Sequence, residues 1–138
     1  MKFSKWLPMM ALGLLLAGVI APGSARATDS EQDFYVRTTA DLAKLCGTDP
    51  SDPLYTAAIH FCQGFGAGAY QAEQLHQAGS RARPLFCMPK DPQPTRNEVL
   101  AGFTKWVAAT PDVGSRAPAE GLFEYLMKTY PCPTKKKH

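Results

Sequence analysis

The sequence lacks the short motifs by which small hydrolases and redox enzymes are usually recognised. It contains no Gly-x-Ser-x-Gly, no His-Glu-x-x-His and no Cys-x-x-Cys, the spacings typical of a serine nucleophile, a zinc protease and a thioredoxin-type centre. Histidine is scarce, with only His60, His76 and His138, and neither His60 nor His76 has a carboxylate four residues away. The sequence therefore predicts a protein that is not an enzyme and has no metal or cofactor site.

The sequence also lacks an apolar run long enough to cross a membrane comfortably. Its main run, residues 7–20, has 14 residues, whereas a transmembrane helix needs about 20. Two lysines precede the run, and the small-x-small sequence from Ala25 to Ala27 follows it. This layout is typical of a secretory signal peptide. We therefore predict that residues 1–27 are a cleaved signal peptide, and that the mature chain is periplasmic and has no membrane association.

No strong charge of one sign marks the rest of the chain. The sequence has 15 basic and 12 acidic residues, but three of the basic residues lie within residues 1–27 and three within residues 135–137. The domain between them is slightly acidic. Nucleic-acid binding requires basic residues clustered on one face, so no nucleic-acid partner is predicted. Residues 134–138 are interpreted as a disordered basic tail, and residues 28–133 as a single domain.

The remaining chain has helical periodicity and helix-start signals. Thr38 with Asp41, and Thr95 with Glu98, have the spacing of a capping box, and Asp52-Pro53 suits a helix start. These signals predict an all-α fold, a compact bundle of about four helices. The segments are residues 39–45, about 53–78, 95–110 and 118–130. The second has an apolar stripe at steps of three and four: Leu54, Ala58, Phe61, Phe65, Gly68, Ala72 and Leu75.

Three glycines fall in the middle of the predicted second helix. Gly64, Gly66 and Ala69 match the Gly-x-Gly-x-x-Ala form of a dinucleotide-binding turn. That turn follows a strand and begins a helix, whereas these residues continue a helical stripe, so phosphate binding is rejected. Glycine inside a helix costs about 1 kcal/mol relative to alanine. We therefore interpret Gly64, Gly66 and Gly68 as helix-packing positions, with Gly68 as the point where another helix backbone approaches.

The four cysteines predict two disulfides that pin the bundle. They are Cys46, Cys62, Cys87 and Cys132, an even number in a small exported chain. The third and fourth helices are joined by a short turn and should be antiparallel, which brings Cys87 near Cys132. Cys46 and Cys62 lie on either side of the turn-rich TDPSDP link. Of the three possible pairings, the sequence thus favours Cys46–Cys62 with Cys87–Cys132.

The residues around the cysteines carry a resemblance to a known family. The relevant elements are Leu45-Cys46, Cys62-Gln63-Gly64-Phe65, Cys87-Met88-Pro89 and Tyr130-Pro131-Cys132. In this order they resemble the type VI secretion amidase immunity family, the Rap/Tai proteins, and the likeness spans residues 34–132. The resemblance implies a disulfide-pinned helical bundle, usually dimeric, located in the periplasm. It further implies a protein partner, a peptidoglycan-cleaving amidase toxin, whose active site the chain would block.

The resemblance also implies that a protruding loop blocks the toxin. The first candidate for this loop lies between the third and fourth helices and consists of Pro111, Asp112, Val113, Gly114, Ser115 and Arg116. The second candidate is the segment 79–83, with Arg81 and Arg83. For either segment the alternative is an ordinary turn between helices.

Two other functions fit an exported, disulfide-pinned helical domain. One is a periplasmic acid-stress chaperone, which would expose apolar surface when its carboxylates are protonated. The other is a structural envelope protein without a toxin partner. An immunity protein binds one enzyme tightly, whereas a chaperone binds many clients weakly, so the number of partners distinguishes an immunity protein from a chaperone.

Overall fold

The computed structural model describes residues 30–80 and 82–133, and all regular structure in these ranges is helical. The predicted all-α fold with four helices and two disulfides is confirmed. The predicted signal peptide, residues 1–27, and the predicted tail, residues 134–138, lie outside the described residues. The helices are α1 (Thr39–Cys46), α2 (Tyr55–Ser80), α3 (Arg96–Ala109) and α4 (Pro118–Thr129), with 3-10 turns at Glu31–Phe34 and Pro111–Val113.

Side-chain caps start α1 and α3 where the sequence predicts them. The Thr38 hydroxyl accepts a hydrogen bond from the Asp41 amide at 3.2 Å, and the Asp41 carboxylate accepts from the Thr38 amide at 2.9 Å. Thr95 and Glu98 form the same reciprocal pair at the start of α3. Each capping box satisfies two backbone donors that have no partner inside the helix.

The predicted start of α2 at Pro53 is wrong by two residues. The Asp52 carboxylate accepts from the Leu54 amide at 2.8 Å, and the Asp52 carbonyl accepts from the Tyr55 amide at 3.0 Å. These bonds close a local turn around Pro53, and the regular helix begins at Tyr55. Asp52 therefore fixes the turn that leads into α2 and is not its N-cap.

The shortest of the four helices, α1, lies at the centre of the fold. Its eight residues pack against α2, α3 and α4. Thr39, Leu42, Leu45 and Cys46 are all buried, and Leu45 has no exposed surface. The other helices surround it and supply the rest of the core: Ala58, Cys62, Phe86, Leu100, Phe103, Val107, Val113, Leu122, Tyr125 and Leu126.

Within residues 30–80 and 82–133, no helix packs on Gly64, Gly66 or Gly68, where the sequence predicts one. A Cβ atom built on any of these glycines meets no other atom within 4 Å. The physical reason is the rotation of α2. Cys62 is turned into the core by its disulfide, and a residue six positions later lies about 120° away around the helix, so Gly68 faces outward.

The close helix approaches occur at two other glycines, one on α4 and one on α3. A Cβ atom on Gly121 would lie 2.8 Å from the Cβ atom of Thr39, so Gly121 lets α4 pack directly on the start of α1. A Cβ atom on Gly102 would lie 3.2 Å from Cζ of Tyr125, so Gly102 makes room for that ring between α3 and α4. These two glycines, rather than those of α2, set the helix spacing.

The disulfides have the predicted pairing. Cys46 and Cys62 join the end of α1 to the second turn of α2, with their Cα atoms 5.4 Å apart. Cys87 and Cys132 join the segment before α3 to the segment after α4, with their Cα atoms 4.8 Å apart. The Cys87 amide also donates to the Tyr130 carbonyl at 2.8 Å. The second disulfide therefore holds the α2–α3 connection against the end of α4.

Candidate functional site

The first candidate loop, residues 111–116, is fixed to the start of α1 through its backbone. The Gly114 carbonyl accepts from the Ala40 amide at 2.9 Å, and the Arg116 carbonyl accepts from the Thr39 amide at 2.8 Å. The buried Thr39 hydroxyl donates to the carbonyls of Arg116 and Ala117 at 3.1 and 3.0 Å. Loop carbonyls thus satisfy first-turn donors of α1, which makes this loop a rigid surface element.

Only part of this loop is accessible to a partner. The Val113 side chain is 1% exposed and belongs to the core, and Gly114 is half-buried. Pro111, Asp112 and Ser115 are exposed, as is Arg116. The sequence predicts partner contact along the whole loop, and the structure leaves four of its six residues in a position to make it.

A row of paired charges of both signs continues from the loop along α4. The Arg116 guanidinium forms an ion pair with Glu124 and lies 3.6 Å from a carboxylate oxygen of Glu120. Glu124 also accepts from the Lys128 ammonium at 2.7 Å. The Lys128 hydrogen bond, with the nearby Arg116 charge, holds the pKa of Glu124 below its usual range. The exposed surface beside the loop therefore has fixed charges of both signs, which suits recognition of a protein.

The second candidate segment, residues 79–83, extends the end of α2. Gly79 and Ser80 belong to its last turn, where the Ser80 hydroxyl donates to the His76 carbonyl at 2.6 Å. Arg81 lies outside the described residues, and Arg83 is exposed. The described residues of this segment, 79–80 and 82–83, form no backbone hydrogen bond to a second helix like those of residues 111–116, and we place the segment second for that reason.

A buried carboxylate that the sequence does not single out holds the chain just beyond this segment. Glu73 on α2 is 5% exposed, and one of its oxygens accepts from the Leu85 amide and from the Gln77 side-chain amide, both at 2.9 Å. The bond from the Leu85 amide, followed by that from Gln77, lowers the pKa of Glu73. In the sequence Glu73 is a single glutamate within a predicted helix, and nothing around it indicates that its carboxylate is buried.

Protonation of Glu73 is expected to destabilise the fold. Because its pKa is lower in the folded chain than in the unfolded chain, its stabilising contribution is complete above the unfolded pKa of about 4.3. That contribution is lost as the pH falls through the folded pKa. Urea unfolding between pH 7 and pH 2.5 should show a Glu73→Gln variant with a weaker acid dependence than the unchanged protein. Identical acid dependence of the two proteins would contradict this role.

The part of the chain that the structure describes holds no recognisable catalytic arrangement. All four cysteines are in disulfides, and within residues 30–80 and 82–133 no three His, Cys, Asp or Glu side chains are grouped so as to bind a metal ion. None of the helices in these ranges has the length and apolar character of a membrane span.

The comparison with known families agrees with this picture. The family model of the Rap1a immunity proteins matches residues 38–132, the region from the cap of α1 to the last cysteine. No curated protein and no solved structure matches the chain. Immunity proteins of this family are periplasmic, bind a toxin protein and are typically not enzymes. Since the match covers more than half of the sequence, the chain belongs to the Rap1a immunity protein family of type VI secretion.

Proposed function

We propose that this protein neutralises a peptidoglycan amidase toxin in the periplasm by covering the active site of that enzyme. The observation that carries the proposal is the loop of residues 111–116, which presents exposed polar side chains on a backbone fixed to α1. A rigid loop loses little conformational entropy when it binds, so more of its contact energy appears as affinity. We further propose that the chain itself has no enzymatic activity and that residues 1–27 direct its export.

Asp112 and Arg116 are the two charged side chains of this loop and its most direct means of recognising a toxin. Asp112 is exposed on the 3-10 turn, and Arg116 is exposed beside Glu120 and Glu124. An acid and a base on one short loop fix the orientation of a partner whose charges are complementary. We therefore place the main toxin contact at these residues.

We also propose that the active form is a homodimer. Support comes from large apolar side chains that the chain leaves exposed, among them Leu75 at 75% and Tyr35 at 67% exposure. Exposed apolar side chains gain free energy when a second copy covers them.

An affinity capture followed by an inhibition assay tests the function. Disulfide-bonded protein lacking residues 1–27 would be the bait in envelope extracts, and the retained proteins would be identified by mass spectrometry. We expect one peptidoglycan amidase at neutral pH, inhibited by the bait, in a complex whose mass by analytical ultracentrifugation contains two copies of this chain. A broad set of unfolded proteins, retained only in acid, would instead support a chaperone.

The loop assignment has its own matched variants. Asp112→Ala combined with Arg116→Ala should weaken inhibition of the captured amidase at least tenfold, which corresponds to about 1.4 kcal/mol. The control is Asp91→Ala combined with Lys105→Ala, which also removes one acid and one base from exposed positions but lies outside the loop. Equal inhibition by both double variants would assign the toxin contact elsewhere.

A further inference from the structure

A groove runs along α2, between this helix and the segment that leads into α3. It consists of two adjoining hollows of about 280 and 430 Å³, which share Tyr70, Phe86, Met88 and Gln93 as lining. The first lies between α2, α3 and α4, and the second continues along α2 to Gln77. From Gln63 to Gln77 the groove follows α2 for about 21 Å at 1.5 Å per residue.

The first hollow reaches the hydrophobic core. Five of its lining side chains are at most 5% exposed: Cys62, Phe86, Leu100, Leu122 and Leu126. An apolar group that entered this hollow would therefore leave water on the side that faces the core, and burial of this kind yields about 25 cal/mol for each Å² removed from water. The hollow is at the small end of ligand pockets and suits a single large apolar side chain.

Gly66 forms part of the wall of this hollow and keeps it open. A Cβ atom on Gly66 would meet nothing within 4 Å, although the residue lines the first hollow. Glycine at this interior helix position costs about 1 kcal/mol relative to alanine, and no neighbouring helix requires it. The space that the missing side chain leaves belongs to the groove.

The polar lining of the groove suits the backbone of an extended peptide. Gln71, Gln74 and Gln93 are exposed along it, and each amide can both donate and accept a hydrogen bond. Peptide units present the same alternation of donor and acceptor. At about 3.3 Å per residue, a length of 21 Å accommodates roughly six residues of an extended chain.

The charges of the groove favour an acidic occupant. Arg96 lines the first hollow and Lys90 the second, and within residues 30–80 and 82–133 neither forms an ion pair. The one acid in the lining, Glu73, already accepts hydrogen bonds from Leu85 and Gln77. The tail of this chain, with Lys135 to Lys137, has the wrong sign to fill the groove.

From these features we infer that the groove binds an extended segment of a partner protein that places an apolar side chain in the first hollow and carboxylates beside Arg96 and Lys90. This surface is separate from the loop of residues 111–116. Arg96 begins α3, and the loop follows its end, so the 14 residues of the helix separate the two by about 20 Å. The inference goes beyond the proposed toxin contact and does not depend on it.

A direct binding measurement tests the groove without any toxin. The probe is a fluorescein-labelled seven-residue peptide of alternating leucine and aspartate with blocked ends, and fluorescence polarisation reports its binding to the disulfide-bonded protein. Saturable binding with Kd below about 1 mM is expected, and at least fivefold weaker binding of a peptide with lysine in place of aspartate. Equal affinity for the two peptides, or no saturation, would overturn the inference.

Two matched variants distinguish the groove from the rest of α2. Gly66→Met and Gly64→Met make the same change two residues apart with a similar gain in helix propensity, but only Gly66 lines the first hollow. Gly66→Met should weaken peptide binding at least tenfold, and Gly64→Met should leave it within twofold. Similar weakening by both variants would overturn the inference. Self-association that releases the bound peptide as the protein concentration rises would also overturn it, because a second copy of the chain would then occupy the groove.

Discussion

Replacing Cys87 and Cys132 together by alanine is expected to lower the free energy of unfolding by about 4 kcal/mol. The disulfide closes a loop of 45 residues, and the loss of loop-closure entropy from the unfolded chain accounts for about that value. A domain of this size has a total stability of about 5–15 kcal/mol, so the effect is a large share of it. Urea unfolding followed by far-UV circular dichroism measures the difference.

The Cys87–Cys132 disulfide also holds part of the hydrophobic core in place, in addition to its effect on the entropy of the unfolded chain. Buried Phe86 precedes Cys87 directly, with its ring centroid 6.2 Å from that of Phe123 on α4. Loss of the cross-link removes one of the ties that keep Phe86 in the core. A decrease smaller than about 1 kcal/mol, well below the entropic value, would show that the bond does not constrain the unfolded chain in this way.

Gly121→Ala is expected to lower the free energy of unfolding by about 1–2 kcal/mol. The added Cβ atom would lie 2.8 Å from the Cβ atom of Thr39, which is inside the contact distance of two carbon atoms. Either α4 moves away from α1 or the Thr39 side chain leaves its rotamer, and overpacking of this kind costs typically about 1–3 kcal/mol. The loss exceeds the gain of about 1 kcal/mol from helix propensity.

The matched control for Gly121→Ala is the same change at Gly68. Gly68 lies inside α2 with open space around its Cα atom, so Gly68→Ala should raise the free energy of unfolding by about 1 kcal/mol. The two variants are therefore expected to have effects of opposite sign in the same urea-unfolding experiment. A destabilised Gly68→Ala variant would contradict the outward orientation of this residue.

The candidate site was only partly predictable from the sequence. The position of the loop between α3 and α4 follows from helix periodicity and Pro111, because proline ends one helix and the next begins at Pro118. The burial of Val113 and the bonds to the start of α1 do not follow, since they depend on which helix lies beside the loop. Glu73 was missed for the same reason, because its partner at Leu85 is 12 residues away.

The buried faces of α2 and α4 show where periodicity fails. The predicted stripe of α2 is correct at Ala58, but Leu75, at its far end, is 75% exposed. On α4 the apolar residue Met127 is 38% exposed, whereas Tyr125 is buried. Apolar spacing identifies a helix, yet small errors in its phase accumulate along 26 residues, and the packing partners decide the rotation.

By itself the sequence determined the all-α class, the number of helices, the caps of α1 and α3 and the pairing of the cysteines, because these depend on local hydrogen bonding and on short connections. Tertiary structure decided which helix is central, which glycines allow close approach and where the groove opens. Those features depend on how α1, α2 and α4 rotate against one another. That rotation is fixed by contacts between residues such as Thr39 and Gly121, which are far apart in the chain.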